Sequence, residues 1–458
     1  MEVTKNMVAG CHAVEFSDLP EEVIDRVKYL TLDYLGVAAR GSASDSSGPV
    51  LRLVKEFGQG KNDAVIVGTD LRAAPSYAAI ANGTAAHSLE LDDVVNEASL
   101  HPAVAVMSAA LDAAHIAKCS GAKFIEGILT GYEVTVRLGV ALDPSAHYAQ
   151  GFHPTATCGT MGSAVAAAKI LSLNQEQMTN ALGIAGSQAA GSMEFLSTGA
   201  FTKRLHPGWA AHSGIMAALL AREGFTGPSS IIEGRSGFLK TYSPKPVVEK
   251  VLEDWGRPYK VMRTSIKPHS CCRYKQGPID GILEIMNENK LLAADIEKVT
   301  LGILKTGIPI VVQPEEQKYN PTNVVDAQFS MPFGAAVAVL YGKASLDEYT
   351  QEKVESDKVK EMMRRISCVQ DKELEKEFPR KWPASVTIST KDGKELSTKI
   401  DYPKGDPENP LSWDELSNKF RGLVKPIYTK ERTEEIIQST KSLENETEIT
   451  SFTRLLTS

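Results

Sequence analysis

Residues 158–171 read CGTMGSAVAAAKIL, a stretch in which alanine, glycine and serine occupy every face of a would-be helix. A helix without a polar face is covered on several sides, and small side chains let its neighbours come close. Residues 102–117, 121–142, 175–190 and 208–223 share the helical pattern, and most share the small residues. Asn174 with Gln177 offers a capping box for the run at 175, and Gly224 a stop after the run at 208. Residues 18–40 add an amphipathic helix: Asp18 and Pro20 open it, Val23, Val27, Leu30 and Tyr34 follow at helical spacing, and Gly36 and Gly41 come after. The first 260 or so residues are expected to form an all-helical bundle.

The pattern changes beyond that point. VTLGIL (299–304) and IPIVV (308–312) read as strands, residues 326–341 as a helix, and SVTIST with ELSTKI as a hairpin turning through Asp392-Gly393 in type I′ geometry. YPKGDPENP (402–410) reads as a linker, after which Ser412 and Glu415 cap a helix that returns to the first domain. The expected fold is mainly α with a smaller α+β domain. Residues 1–265 form the helical domain, completed by 405–458, and residues 266–404 the α+β domain.

Bulk properties narrow the function. A chain of 458 residues is too long for one compact core. Its net charge is −7 with no long basic run, so no nucleic-acid partner and no anionic-membrane partner is expected. No apolar stretch is long enough to span a bilayer, and MEVTKNMVAGCHAVEFSDLP has neither a secretory nor a transit-peptide pattern, so a cytoplasmic location is expected. The six cysteines form no CxxC pair, which speaks against structural zinc and a disulfide framework. No glycine fingerprint follows an early strand, so no dinucleotide is implied, and the expectation is an enzyme without cofactor or metal.

Chemistry-bearing residues concentrate in four segments. HSLELDDVVNEASLHP (87–102) packs Glu90, Asp92, Asp93 and Glu97 ahead of His101; it is either a solvated acidic loop or a site, because four carboxylates cannot all be buried without partners. GFHPTAT (151–157) puts His153 at a helix start, and TKRLHPGWAAHSG (202–214) puts Lys203, Arg204, His206 and His212 ahead of another. A single histidine at a helix start is more often structural than catalytic, but three such segments together point to a site. IKPHSCCRYKQGPID (266–280) joins the two parts and gathers Lys267, His269, Arg273 and Lys275. That is either a basic linker or a seat for an anion. A catalytic Cys271 or Cys272 has no assignable base.

These segments, together with AAIANGTAAHSLELDD, TCGTMGSA and DAQFSMPF, resemble the MmgE/PrpD family in order and spacing over nearly the whole chain. The family includes 2-methylcitrate dehydratase, cis-aconitate decarboxylase and iminodisuccinate epimerase. The resemblance implies a large helical domain with a smaller α+β domain, a homodimer, and a small anionic di- or tricarboxylate substrate. It also implies that Asp93, His101, His153, Lys203 and Lys267 face a pocket between the two domains, with Tyr319 a further candidate. Glu90, Asp92, Arg204 and Arg273 complete the expected substrate-binding set. Proton abstraction next to a carboxylate needs a base near neutrality, which histidine supplies, and a cation for the enolate-like charge, which lysine supplies.

A lyase, decarboxylase or dehydratase, is expected, with dicarboxylate epimerisation as the alternative. In the decarboxylase branch an Asp stands where this chain has Glu90 and a Thr where it has Val94. The interval from the paired aspartates to His-Pro is also one residue shorter there, whereas the longer interval here is similar to the epimerase. GFHPT is nearer to the decarboxylase and epimerase branches than to the dehydratases. Two readings from other classes stand beside this one. DDVVNE (92–97) has the look of the aspartate-rich magnesium motif of helical terpenoid synthases, although aromatics make up only 7% and no second acidic set is visible. An inactive helical scaffold would lack His101 or Lys203, and both are present.

Overall fold

The glycines and alanines of the N-terminal half are placed at helix crossings. In the computed structural model, which describes residues 2–60, 62–378 and 380–458, the chain divides into two units. One comprises Met1–Ser88, Asp92–Thr264 and Ser412–Ser458, the other Leu89–Leu91 and Ser265–Leu411. The first unit is built on α1 (Glu21–Gly41), α2 (Pro75–Ala86), α3 (Ala103–Ala117), α4 (Gly121–Ala141), α5 (Pro154–Ile170), α6 (Gln175–Gly186) and α7 (Thr202–Arg222). Helix α5, which carries the stretch quoted first, is buried along its whole length and packs on α3, α4 and α7. Burying Met161, Val165 and Ile170 contributes roughly 1.5–3 kcal/mol each.

Two crossings depend on glycine. A Cβ on Gly131 of α4 would lie 2.5 Å from Val106 and 2.9 Å from Ala166 of α5. A Cβ on Gly83 of α2 would lie 2.6 Å from the Gly208 Cα of α7. The second contact holds the C-terminal end of α2 against the first turns of α7, and each of those ends carries a histidine.

The expected capping box of Asn174 and Gln177 is formed, and Gly224 follows α7 with φ +90°. The end of the run at 175 is Gly186 rather than residue 190. Helix α7 begins at Thr202, not at residue 208, and runs through Pro207. The bond given up is the one from residue 207 to the Lys203 carbonyl, which proline cannot make. Lys203, Arg204 and His206 are therefore helical rather than parts of a loop ahead of a helix.

The second unit contains α8 (Gln276–Glu288), β1 (Ile296–Ile303), α9 (Val324–Gln328), α10 (Met331–Tyr341), β2 (Ile366–Gln370), β3 (Ala384–Thr390) and β4 (Glu395–Ile400). The sheet order is β2-β1-β3-β4, parallel between β1 and β2 and antiparallel elsewhere. Strand β3 buries Ala384, Val386, Ile388 and Thr390 in strict alternation, and α8 covers β3 and β4.

Three local expectations in this unit are corrected. IPIVV is a short π-helical turn rather than a strand; Pro309 has no N–H to pair, and Val311 and Val312 are buried side by side instead of alternating. The helix expected over 326–341 is two helices, because the Ser330 hydroxyl accepts from the Phe333 N–H and Pro332 starts a new first turn. The hairpin turn has positive φ only at Gly393 (+85°), so it is not type I′, which needs two such residues; Thr390 and Lys394 close it as a three-residue loop.

Helices α11 (Trp413–Val424) and α12 (Lys430–Lys441) belong to the first unit. The Ser412–Glu415 capping box is present, and Lys419 of α11 pairs with buried Asp33 of α1 at 2.6 Å. Among the described residues no helix is long and apolar enough to cross a membrane.

Candidate active site

His87 closes α2 and is fully buried, with Nδ1 2.7 Å from Asp92 Oδ2. The same carboxylate oxygen lies 3.1 Å from His101 Nδ1, which also sits 2.5 Å from the Asp93 carbonyl oxygen. Both neighbours of His101 Nδ1 accept and neither donates, so this nitrogen carries the hydrogen. Nε2 is then the basic nitrogen of the ring. His101 is further held by its backbone N–H, which donates to Thr155 Oγ1, and by Pro102, which precedes α3.

Asp93 braces this arrangement. Its Oδ1 accepts from the Ala103 N–H at the start of α3, and its Oδ2 from the Tyr132 hydroxyl of α4 at 2.7 Å. Burial pushes its carboxyl up to about 8, against the pull of those two donors. The two anchors hold the Asp93 backbone, and with it the carbonyl that fixes His101.

A second pair adjoins the first. His153 caps α5, is 3% exposed, and donates its backbone N–H to the Gly191 carbonyl. Its ring stacks on His87 with centroids 5.6 Å apart, and its Nδ1 lies 3.0 Å from His206 Nδ1 on α7. Burial pushes His153 well below the ordinary histidine range, and His87, His206, Lys203 and His101 push the same way. His206 is lowered to about 4 by burial, His87 and Lys203. Both rings are therefore neutral at physiological pH. Lys203 precedes His206 by three residues on α7, which places both on one face, and Arg204 donates to Ser46 Oγ at 3.3 Å.

The structure thus gathers Asp92, Asp93, His101, His153 and Lys203 in the first unit. The solvated-loop reading of residues 87–102 is overturned: Glu90, Asp92 and Asp93 are buried, and only Glu97 reaches solvent, paired with Lys260 at 3.0 Å. Glu90, Lys267, Arg273 and Tyr319 lie in the second unit. Glu90 has φ +55° and Lys267 is 2% exposed. Arg273 Nη2 reaches both oxygens of Asp406 at 2.6 Å and its guanidinium lies over Trp382, while the Tyr319 hydroxyl donates to the Ile366 carbonyl. Burial pushes the Cys271 thiol up to about 11, and Cys272 upward as well, which removes the thiolate that a nucleophile needs.

Residue-by-residue reading of the sequence noticed His206 in its segment but gave it no role, and did not single out His87 or Tyr132. For His87 the available signal was its five-residue spacing from Asp92. For His206 it was its place three residues after Lys203. Nothing local marks Tyr132, which comes from the middle of a buried helix.

Residues 5–250 match the MmgE/PrpD N-terminal domain and residues 269–445 the MmgE/PrpD C-terminal domain. The chain belongs to the MmgE/PrpD family. It is similar to the cis-aconitate decarboxylase-like protein oryM of Aspergillus oryzae, with 27% identity over 96% of this chain and 94% of that one. It is similar also to the cis-aconitate decarboxylases of Mus musculus, with 28% identity over 99% and 93%, and of Aspergillus terreus, with 27% over 99% and 96%. Membership replaces the aspartate-rich magnesium reading, and the geometry agrees: Asp92 Oδ2 faces two ring N–H groups, and both Asp93 oxygens already accept from donors.

Proposed function

We propose that this member of the family is a cofactor-free carboxy-lyase that removes CO2 from a polycarboxylate of the cis-aconitate type. The observation that carries the reading is the fixed tautomer of His101, which makes Nε2 its basic nitrogen, beside the buried carboxyl group of Asp92. Decarboxylation breaks one C–C bond, leaves the electron pair on a conjugated carbon frame, releases CO2 and forms one C–H bond. It needs a cation for the anionic frame and a proton held nearby. Lys203 supplies the cation, and His101 and His153 the nitrogens. Lys267 enters the proposal through the family resemblance. The decarboxylase names of relatives aligned over nearly the full length support the reaction class.

The test is CO2 release from cis-aconitate by enzyme treated exhaustively with chelator, followed by proton NMR in D2O. Turnover with one deuterium per product supports the proposal; no release across a panel of tricarboxylates, or release that returns only with added metal, refutes it. The longer run from Asp93 to His101 favours one second reading, epimerisation of a dicarboxylate, which would exchange a C–H for C–D while keeping every carboxylate.

The assembly proposed is a homodimer in the cytoplasm, the location to be checked by cell fractionation. The alanine-rich helix α5 is buried along its length inside its own unit and offers no face to a second copy. Support comes instead from Leu196, Phe201 and Trp209, large apolar side chains exposed on one short stretch. A monomer by light scattering at micromolar concentration would count against it.

A further inference from the structure

His153 and His206 meet Nδ1 to Nδ1 at 3.0 Å, which means that one ring donates and the other accepts. Two neutral arrangements satisfy that contact. Either His153 carries the Nδ1 hydrogen and His206 is protonated at Nε2, or the reverse. The contact is built, not incidental: His153 is held by its backbone bond to Gly191 and by stacking on His87, and His206 by its place on α7 and by the edge of Phe195 at 5.9 Å. The two rings differ in access. His153 is buried, whereas His206 is partly exposed.

We propose that His206 and His153 form a two-imidazole relay that carries a solvent proton to the carbon from which CO2 has departed. This rests on the decarboxylase reading for its substrate, though not for the shared proton itself. In the step, His153 Nε2–H gives its proton to the carbanion and the C–H bond forms. His153 Nδ1 takes the proton of His206 Nδ1–H, and His206 Nε2 takes one from water. One solvent proton is consumed per CO2 released, and both rings end neutral in the opposite arrangement. Once product has left, water entering the site protonates His153 Nε2, the shared proton returns to His206 Nδ1 and His206 Nε2–H is given up to solvent, which restores the pair. A single buried histidine would have to pass through an imidazolium beside Lys203 or an imidazolate, and the pair avoids both. His206 acts through His153 and is a positioning and relay residue.

Two measurements on the full chain decide it. With 15N-histidine labelling and no substrate, His153 and His206 should both be neutral at pH 7, with one Nδ1 proton coupled to both nitrogens. A cationic ring, or two uncoupled Nδ1 nitrogens, overturns the relay whatever the substrate proves to be. In kinetics with cis-aconitate, His206→Asn keeps a hydrogen-bonding group near the Nδ1 position but has no second nitrogen to pass the proton. Its kcat should fall about ten- to a hundredfold with KM within about twofold, its solvent isotope effect should rise, and added imidazole should restore turnover to His206→Ala. A kcat within twofold of wild type, or no rescue together with an unchanged isotope effect, overturns the proposal. Wild-type enzyme that releases no CO2 refutes the decarboxylase reading instead, and the 15N labelling by itself then decides whether the proton is shared.

Discussion

Replacing Asp92 with Asn is the sharpest perturbation of the site, because one oxygen serves two histidines. Asp92 Oδ2 lies 2.7 Å from His87 Nδ1 and 3.1 Å from His101 Nδ1. A carboxylate and an imidazolium about 4 Å apart between charge centres attract by about 4 kcal/mol at an effective dielectric near 20. The His101 side chain is 16% exposed, and solvent screening there reduces this to about 2 kcal/mol. The asparagine amide also has only one acceptor oxygen, so its NH2 group favours the wrong tautomer in whichever ring it faces. A loss of about 2 kcal/mol from a transition state in which protonated His101 faces the developing negative charge, while His153 gives the proton, is roughly thirtyfold in kcat/KM. The pH limb that reports His101 should move toward acid, because the charge that favours its protonated form is gone. The assay is CO2 release across pH 5–9, with thermal unfolding measured on the same samples. A kcat/KM within threefold of wild type and an unmoved limb would refute the role given to Asp92, and so would a large fall in Tm accounting for all of the loss.

Three further outcomes are expected. His101→Gln should lower kcat by about a hundredfold or more, and Lys203→Met should cost about 2–4 kcal/mol in transition-state stabilisation with little return in Lys203→Arg; steady-state kinetics and melting curves on the three variants check this. Gly208→Ala puts a Cβ 2.7 Å from Thr84 Oγ1 and closer still to the Ile80 carbonyl, so it should destabilise by about 1–3 kcal/mol in urea unfolding and lower activity by spreading α2 from α7. The folded protein holds His153 and His206 below the unfolded value of 6.5, His206 at about 4, so their contribution to stability is complete above about pH 6.5 and is lost as pH falls toward 4. Unfolding free energies at pH 7 and pH 5 should differ less in His206→Asn than in wild type, and an equal difference would contradict the assignment.

Much of the architecture was legible in the amino-acid order, because it depends on local chemistry. The small-residue helices, the capping boxes at Asn174 and Ser412, the stop at Gly224 and the β1 and β3–β4 strands follow from periodicity and side-chain hydrogen bonding within a few residues. Where local signals compete, only the folded chain decides. IPIVV is apolar and β-branched enough for a strand, yet Pro309 and the joint burial of Val311 and Val312 make it a helical turn. The helix expected from residue 208 begins instead at Thr202 and runs through Pro207, with α7 packed on α2 at the Gly83–Gly208 crossing, which places Lys203 and His206 on one helical face.

The site divides the same way. His101, His153, Lys203 and the acidic pair stand in segments whose composition is odd enough to notice, and the order of those segments resembles a known family. Their geometry comes from contacts across long intervals: Tyr132 on Asp93 across 39 residues, and His206 on His153 across 53. A carboxylate in sequence is equally a solvated charge or a buried anchor. Asp92 and Asp93 became anchors because the folded chain removed water from them and brought imidazole, phenol and helix N–H donors in its place, a choice made by packing and desolvation rather than by neighbouring residues.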